Sequence, residues 1–433
     1  MRSRLLWRRS ATAVGLYGSL GFGVLATIVA ARVLAPRDFG LFATAFAAAS
    51  FFQMLLDLTV EEALTKLGFR YVVQEDWGRL RRLFARALQL KLAGGLVAAL
   101  AVAALAPAAD AIFDAEDLFW PVLVSALLPL IAVPEGVGLA ALLLRRRYDL
   151  RGWYQSLQGA LRFTGVAIGV QFGVTAAIAG ICVGQAVATV VAAAIGIAVF
   201  RRFPHAPQRS LGDDRRYAIS FVAKSSVATA VISLRTTLAP LLLGVVAGPT
   251  QVGLLRVAQA PLTGLQAASS PVRLILLTEQ THDWERGRER EVVAGLRRYM
   301  VMAAGLMAVA VPVFMIAMPW LVELFFTEDY VEAVDAARIV LVAAALLVVL
   351  GWTKSLPVTI GRPGLRILAH GVEAGVLLPL VIVLGAEWGV TGAAVAILIS
   401  VLAFAAVWAV LLARIQAGVT PVDPGITGNA PVA

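Results

Sequence analysis

The feature that most constrains this chain is a series of twelve apolar runs, each long enough to cross a bilayer as a helix. A spanning helix needs about 20 apolar residues, and lipid admits only helices or closed barrels because every backbone group must be paired. Of the 433 residues, 60% are hydrophobic and 15% are charged, which excludes a soluble enzyme and leaves no room for a large extramembrane domain. The runs lie near residues 12–34, 40–66, 84–106, 119–144, 151–172, 174–200, 217–247, 250–277, 296–318, 334–357, 364–386 and 389–413.

Basic and acidic connections alternate between these runs, and the alternation predicts the topology. Arginine clusters occupy every second connection, at 70–86, 145–147, 201–216 and 286–298. The intervening connections are acidic or nearly uncharged, as at 110–117 and 323–335. The positive-inside rule then places the arginines and both termini in the cytoplasm. Because the basic residues form short collars and no single docking face, the net charge of +10 does not predict nucleic-acid binding.

Three short sequence matches at a nearly constant offset indicate an internal duplication. They pair 36–41 with 249–254, 112–116 with 325–329, and 172–177 with 388–393, at offsets of 213, 213 and 216 residues. An even number of spans per copy keeps both copies in one orientation, so we expect an all-α membrane protein with two parallel six-helix lobes around a central cavity. The predicted divisions are an N-lobe at 1–200, a cytoplasmic linker at 201–216, a C-lobe at 217–414 and a flexible cytoplasmic tail at 415–433.

Polar residues recur at helical spacing inside several runs, although such residues are costly at bilayer depth. On the eighth run, six of them fall within an arc of about 100° when each residue turns the helix by 100°. They are Arg256, Gln259, Thr263, Gln266, Ser270 and Arg273. Shorter sets that share a helix face are Ser50, Gln53, Asp57 and Glu61, then Arg151, Gln155, Gln158 and Arg162, then Lys224 and Arg235, then Arg366, His370 and Glu373.

The deep cationic residues predict a water-filled cavity with a positive bias. They outnumber the carboxylates only modestly, with Arg162, Lys224, Arg235, Arg256 and Arg273 against Asp57, Glu61, Glu135 and Glu373. Such a cavity selects an anionic substrate, since guanidinium groups bind phosphate oxygens through paired hydrogen bonds. For Arg32 the sequence favours equally a position at the cavity mouth and a position in the headgroup layer. A single cysteine, Cys182, excludes a Cys-based metal site, and we expect neither a metal nor a cofactor.

The residues at 31–41 resemble the hallmark of polysaccharide-type flippases in the multidrug/oligosaccharidyl-lipid/polysaccharide superfamily. Asp57 and Leu58, with 63–66, are similar to the second-span motif of that family, although Thr59 stands where Gly is common. The turn at 389–394 also fits. The resemblance covers the whole chain in length, span count and lobe structure. It implies two lobes that rock between inward-open and outward-open states.

The resemblance also implies a function without covalent chemistry. Such proteins carry undecaprenyl-pyrophosphate-linked oligosaccharides from the cytoplasmic to the periplasmic leaflet of the bacterial inner membrane. The expected partners are that lipid and the surrounding membrane lipids, with a polysaccharide polymerase or glycosyltransferases nearby, and nothing in the sequence indicates an oligomer. In this hypothesis the cavity cations pair with the pyrophosphate, the neutral polar residues bind sugar hydroxyls, and the carboxylates couple an ion or neutralise the arginines.

Two other classes of protein remain as alternatives. A cation-coupled multidrug antiporter of the same superfamily predicts a predominantly acidic cavity, which the arginines argue against. A membrane glycan polymerase or ligase needs a sizeable outer loop with catalytic residues. The outer connections near 107–118 and 319–333 are short and contain no His.

Overall fold

The computed structural model describes residues 2–56, 59–267, 269, 280, 283–284, 286–360, 362 and 364–418, and the described chain is built from helices. In chain order these are α1 (Arg2–Val33), α2 (Pro36–Leu56), α3 (Val60–Val73), α4 (Trp77–Ile112), α5 (Phe119–Ser125), α6 (Leu127–Ile131), α7 (Val133–Leu144), α8 (Tyr148–Gly169), α9 (Val174–Phe200), α10 (Asp214–Ser233), α11 (Ala239–Ala247), α12 (Pro249–Ala258), α13 (Glu289–Phe326), α14 (Ala333–Val349), α15 (Leu356–Thr359) and α16 (Gly364–Gly418). Residues 260–267 are also helical.

Eight helical stretches of the described chain are long and apolar enough to cross a membrane. One of them, α16, contains the last two predicted runs, which are separated at Gly389 by a non-helical backbone with φ of 55°. The predicted run at 174–200 coincides with α9. Three other predicted runs are not among these eight stretches. The fifth run forms α8, which is more polar than the eight, and the tenth forms α14, which is shorter than them. The eighth run begins at α12. The chain is therefore an all-α, multi-pass membrane protein.

Proline divides two of the predicted spans. The run at 119–144 forms three helices, α5 to α7, because Pro129 and Pro134 have no N–H to donate to the preceding turn. In the seventh span a π-helical turn, Leu234–Leu238, joins α10 to α11 just before Pro240. Interrupted helices of this kind are tolerated at bilayer depth where the freed backbone faces protein or a water-filled cavity.

The duplicated motifs meet face to face where the N-terminal ends of α2 and α12 cross. A Cβ atom on Gly40 would clash with the backbone of Pro249. A Cβ atom on Gly253 would lie 3.0 Å from the nitrogen of Gly40 and 3.2 Å from the carbonyl oxygen of Pro36. The contact is reciprocal, as expected beside a pseudo-twofold axis. We call the crossing of α2 and α12, with the aromatic residues that cover it, the apolar seam.

Aromatic residues from the acidic connections cover the apolar seam. The ring of Phe113 packs on Gly244 of the opposite half. Tyr330 is fully buried, stacks edge-on against Phe39 with 5.8 Å between ring centroids, and donates a hydrogen bond to the carbonyl of Leu34 at 3.2 Å. These contacts place the connections at 113–118 and 327–332 at one end of the molecule, which we call the acidic-loop end.

A second set of contacts between the halves joins α3 to α10. The hydroxyl of Tyr71 donates to Oδ2 of Asp214 at 2.8 Å, and Arg70 pairs with Oδ1 of the same carboxylate at 3.1 Å. The backbone N–H of Thr59 donates to the hydroxyl of Ser226 at 3.2 Å. We call this set of α3–α10 contacts the polar seam.

Cation–π contacts extend the polar seam along the same two helices. The ammonium group of Lys66 lies 5.4 Å from the ring centroid of Tyr217 and 5.0 Å from that of Phe221. Arginine-rich connections at 145–147 and 201–213 lie beside this seam, with Arg145 donating to the carbonyl of Arg202. We call this end of the molecule the basic-loop end. The alternation of loop charge seen in the sequence therefore corresponds to two ends in space.

The connection between α9 and α10 is fastened to α4. The N–H of Arg209 donates to the carbonyl of Gly78 at 3.2 Å, and the rings of Trp77 and Phe203 lie 5.6 Å apart. Phe203 and Leu211 are buried in a small apolar core shared with α3, α4 and α7. Most of this connection is therefore part of the packed surface of the N-terminal half.

Candidate functional site

A cavity of about 510 Å³ lies between the two halves. Its walls come from α1, α2, α8 and α9 on one side and from the π-helical turn, α11 and α12 on the other. Three of the predicted site residues line it, namely Arg162 from the N-terminal half and Arg256 and Gln259 from the C-terminal half. None of the described residues that line it is Asp or Glu. The cavity can therefore offer one guanidinium group from each half to an anion between them.

Arg162 is held by a buried polar network in the N-terminal half. Its Nε donates to Oε1 of Gln185 at 2.7 Å, and the amide of Gln185 donates to Glu135 at 2.7 Å. Gln158 donates to both oxygens of Glu135, at 2.8 and 3.0 Å. Gln185 is fully buried, so this network fixes the orientation of Arg162 and brings a negative charge near it. The guanidinium group is thus positioned, and no carboxylate in the described part of the chain pairs with it directly.

Arg256 is presented differently. It lies on α12 beside the buried residues Leu255 and Val257, yet its own side chain is exposed to the cavity. It forms no ion pair with a carboxylate among the described residues. An unpaired guanidinium group at bilayer depth is costly unless water or an anion solvates it. Arg256 is therefore the cavity cation that is most available to a ligand.

A second cavity, of about 300 Å³, lies within the N-terminal half and contains the carboxylates that the central cavity lacks. Glu61 pairs with Lys91 at 2.7 Å, and Glu135 and Gln53 also line this space. A Cβ atom on Gly136 would overlap the Glu61 carboxylate, so the glycine makes room for it. The single polar face predicted for the second span is therefore divided between two cavities, with Gln53 lining this one and Ser50, one turn earlier, lining the central one.

In the C-terminal half, Arg235 is paired instead of free. Its guanidinium group lies 3.0 Å from Oε1 of Glu373, and Nδ1 of His370 lies 2.9 Å from the other oxygen. Glu373 is 1% exposed, and the ring of His370 stacks on Phe404. Arg235 occupies the π-helical turn, whose next two residues line the central cavity. The predicted phosphate ligand and the predicted ion-coupling carboxylate are thus in contact.

Several predicted site residues lie elsewhere. Arg32 donates to the carbonyls of Phe325, at 3.1 Å, and Leu324, so it binds the C-terminal end of α13, where cations are favoured. Thr263 is exposed and donates to the backbone of Gln259, one turn earlier, while Gln266 is half-buried on the same helix. Asp57, Ser270, Arg273 and the side chain of Lys224 lie outside the described residues.

Sequence reasoning missed two residues that organise these sites. Gln185 lies in the uniformly apolar α9, where a lone amide carries no periodic signal, yet it joins Arg162 to Glu135. Lys91 closely follows the arginine cluster at 70–86 in sequence and carries no separate signal there, yet it is buried against Glu61. Among the described residues, no group of three or more His, Cys, Asp or Glu side chains could hold a metal ion.

The family described as "Polysaccharide biosynthesis protein" matches residues 9–272, well over half of the chain. The chain belongs to this family. The match begins in α1, spans the whole N-terminal half and extends through α12, so it covers both arginines of the central cavity. The family was expected from the motifs at 31–41 and 57–66, and that expectation is confirmed. No curated protein sequence matches the chain significantly.

Solved structures share the fold of this polysaccharide biosynthesis family member at low identity. An inward-facing multidrug resistance MATE family transporter of the MOP superfamily has a TM-score of 0.71 at 15% identity, covering 92% of this chain and 95% of the other. The lipid II flippase MurJ, in an inward closed conformation, has a TM-score of 0.69 at 10% identity, covering 94% and 90%. A MOP superfamily transporter from Pyrococcus furiosus, whose binding pocket is described as having reverse polarity, has a TM-score of 0.62 at 14% identity, covering 95% of each chain.

Proposed function

We propose that the chain is a flippase that moves a lipid-linked (undecaprenyl-pyrophosphate) oligosaccharide between leaflets by alternating access, for cell-surface polysaccharide biosynthesis. The observation that carries the proposal is the central cavity, whose described lining contains no carboxylate and to which each half contributes one arginine. Guanidinium groups on opposite walls suit a pyrophosphate, whose two phosphoryl groups offer oxygens in two directions. The family of the chain supports a role in polysaccharide assembly.

In this proposal Arg256 and Arg162 hold the pyrophosphate, while Gln259 and hydroxyl residues of the cavity wall bind sugar. The lipid tail stays in the bilayer, since the cavity is too small for a long isoprenoid chain. Lys224, Arg273, Gln53, Thr263, Gln266, Ser270 and Arg32 stay as candidate contacts for other steps of the transport cycle. The positive-inside rule assigns the basic-loop end and both termini to the cytoplasm of a bacterial inner membrane.

Ion coupling would act through the carboxylates that neutralise cations in the empty protein. Glu373 holds Arg235 in a buried pair, so protonation of Glu373 would release the guanidinium group for the pyrophosphate. Glu135 acts on Arg162 through Gln185 in the same way. Glu61 and Asp57 are further candidates for this role.

The test is surface-glycan export in a strain that lacks its own copy of the gene. Arg256→Ala should lower surface glycan by about tenfold or more and cause the lipid-linked precursor to accumulate, because a charged hydrogen bond is worth about 1.5–3 kcal/mol. Arg256→Lys should retain part of the activity, since the point charge remains.

The matched control is Arg216→Ala, which removes an exposed arginine on α10 that lies outside the cavity. It should export normally at equal protein level. Unchanged export in Arg256→Ala and Arg162→Ala would contradict the cavity assignment. Normal glycan together with drug hypersensitivity in the deletion strain would contradict the flippase function and favour the multidrug antiporter. The carboxylates Glu61 and Glu135 in the cavity of the N-terminal half are the feature that favours this alternative.

A further inference from the structure

A third pocket, of about 320 Å³, opens at the basic-loop end beside the polar seam. Its walls come from both halves, with α3 and α4 on one side and α10 on the other, and the connection between the halves completes it at Ser210 and Leu211. It is separate from the central cavity, with which it shares no lining residue.

Three arginines converge on this pocket. Arg82 and Arg86 are four residues apart, and so share one face of α4, while Arg215 approaches from α10. No Asp or Glu is among the described residues that line the pocket, and none of the three arginines forms an ion pair with a described carboxylate. Arg82 and Arg86 contact only the neutral amides of Gln208, at 3.3 Å, and Gln89, at 3.0 Å.

The rest of the pocket is apolar. Its floor consists of buried residues of α3, α4 and α10, including Val60, Leu83 and Val222. Its rim includes Leu90 and Ile219, which are 42% and 56% exposed. A ligand that fits must therefore be anionic at one end and apolar at the other.

The positive-inside collar does not by itself account for this arrangement. Arginines that only snorkel extend singly from a lipid-facing helix towards the headgroups. Here the guanidinium groups of two opposed helices enclose one concave space between the halves, where their mutual repulsion is uncompensated by the described chain. Basic pockets between membrane helices on the cytoplasmic side are characteristic binding sites for lipid phosphate groups.

We propose that Arg82, Arg86 and Arg215 form a binding site for the phosphate-bearing headgroup of a membrane lipid, whose chain lies along the apolar rim. The bound phosphate would connect α4 to α10 and neutralise the repulsion between them. This site does not depend on the substrate proposed for the central cavity. A resident phospholipid and a transported isoprenyl pyrophosphate both combine an anionic phosphate group with an apolar chain, so either could bind.

The test measures binding to the purified full-length protein in a neutral detergent. The probes are dioctanoyl phosphatidylglycerol, farnesyl pyrophosphate, inorganic pyrophosphate and the neutral dioctanoyl phosphatidylcholine. Replacing the three arginines together, by Arg82→Gln, Arg86→Gln and Arg215→Gln, should weaken binding of the anionic lipids at least about tenfold, since each contributes a charged hydrogen bond. The control triple variant, Arg201→Gln, Arg216→Gln and Arg290→Gln, removes the same charge from exposed positions outside the pocket and should bind as the wild type does.

Each outcome of this test has a definite meaning. If phosphatidylglycerol binds more tightly than farnesyl pyrophosphate, the site exists and its occupant is a resident phospholipid. If farnesyl pyrophosphate binds more tightly, the site exists and its occupant is the transported lipid. Equal losses in the two triple variants would overturn the proposal, because the collar would then bind as a diffuse charge. Inorganic pyrophosphate that binds as tightly as the lipids would also overturn it, since the apolar rim would contribute nothing. These readouts stay informative even if glycan export proves independent of Arg256.

Discussion

The apolar seam and the polar seam join the same two halves with different chemistry. At the acidic-loop end, Gly40 and Gly253 bring two helix backbones into direct contact, and buried aromatic rings cover the crossing. At the basic-loop end, the halves meet through the Asp214 carboxylate and a lysine over aromatic rings. Close packing depends on shape and fails when one atom is added, whereas an ion pair with partly exposed side chains, such as Arg70–Asp214, can exchange with water at small cost. The two halves are therefore joined by one seam that is sensitive to sterics and one that is sensitive to charge.

The largest effect should follow from adding a single carbon atom at the apolar seam. Gly40→Ala places a methyl group against the backbone of Pro249 and should destabilise the packing at the acidic-loop end by about 3 kcal/mol. In a Cys182→Ala background, a cysteine at Thr44, which is fully buried one turn along α2, should become reactive towards a membrane-impermeant maleimide.

The matched control for this experiment is Gly21→Ala on α1. A Cβ atom there meets nothing within 4 Å, so the change should stabilise the helix by about 0.5–1 kcal/mol and leave Thr44→Cys unreactive. Equal reactivity in the two variants would show that the glycine contact does not close this end.

An intermediate effect is expected at the polar seam. Asp214→Ala removes the acceptor of the Tyr71 hydroxyl and the partner of Arg70, which should weaken the contact between α3 and α10 by about 1–2 kcal/mol. A cysteine at Thr59, which is 8% exposed beside this seam, should label faster. The adjacent Asp213 is exposed and makes no side-chain capping bond, so Asp213→Ala should leave the labelling rate unchanged.

A smaller effect should distinguish hydroxyl groups at the two seams. Tyr330→Phe deletes the buried hydrogen bond to Leu34 and should cost about 1 kcal/mol, measured as a lower thermal unfolding midpoint in detergent. Burial, and then the charges of Asp329 and Asp38, raise the pKa of Tyr330, so the hydroxyl keeps its proton at physiological pH.

The control for Tyr330 lies at the other seam. Tyr217→Phe keeps the ring under Lys66 and removes an exposed hydroxyl, so the unfolding midpoint should not move. A larger shift for Tyr217→Phe than for Tyr330→Phe would reverse our ranking of the two seams.

The smallest effect should come from salt. Raising the ionic strength from about 0.05 to 0.5 M shortens the Debye length and should weaken the polar seam by a few tenths of a kcal/mol. Labelling of Thr59→Cys should therefore quicken slightly, while labelling of Thr44→Cys stays constant. A salt response of equal size at both positions would remove the electrostatic distinction between the seams.

Much of the fold could be predicted because a membrane helix satisfies its own backbone hydrogen bonds and therefore needs one continuous apolar run. The length of that run can be read from the sequence. The run at 174–200 predicted both ends of α9, and the matching motifs 36–41 and 249–254 meet at Gly40 and Gly253. The two interruptions that separate α5, α6 and α7 were not predicted, since prolines within an apolar run do not show at which turn the helix will be interrupted. The domain boundaries stay predictions.

The candidate site was less accessible to sequence reasoning. Helical spacing places Arg162 and Gln53 on polar helix faces. It does not show that Arg162 lines the central cavity while Gln53 lines the cavity within the N-terminal half. Nor does it show which cations are already paired, as Arg235 is with Glu373, because the partner is 138 residues away in the chain. Arg32 illustrates the same limit, since its carbonyl acceptors on α13 come from the other half. The roles of these residues in binding stay proposals.

The connection between the halves has a mechanical consequence. Its backbone is fastened to α4 at Arg209 and Leu211 is buried, while Asp214, at the start of α10, is held by Tyr71 and Arg70 of α3. Gly212 lies between these contacts and adopts a left-handed φ of 55° with open space around it. The part of the connection without contacts to α4 or α3 is therefore much shorter than the linker predicted at 201–216. Once the contacts of Asp214 break, this short stretch is the covalent link that joins any motion of α10 to α4.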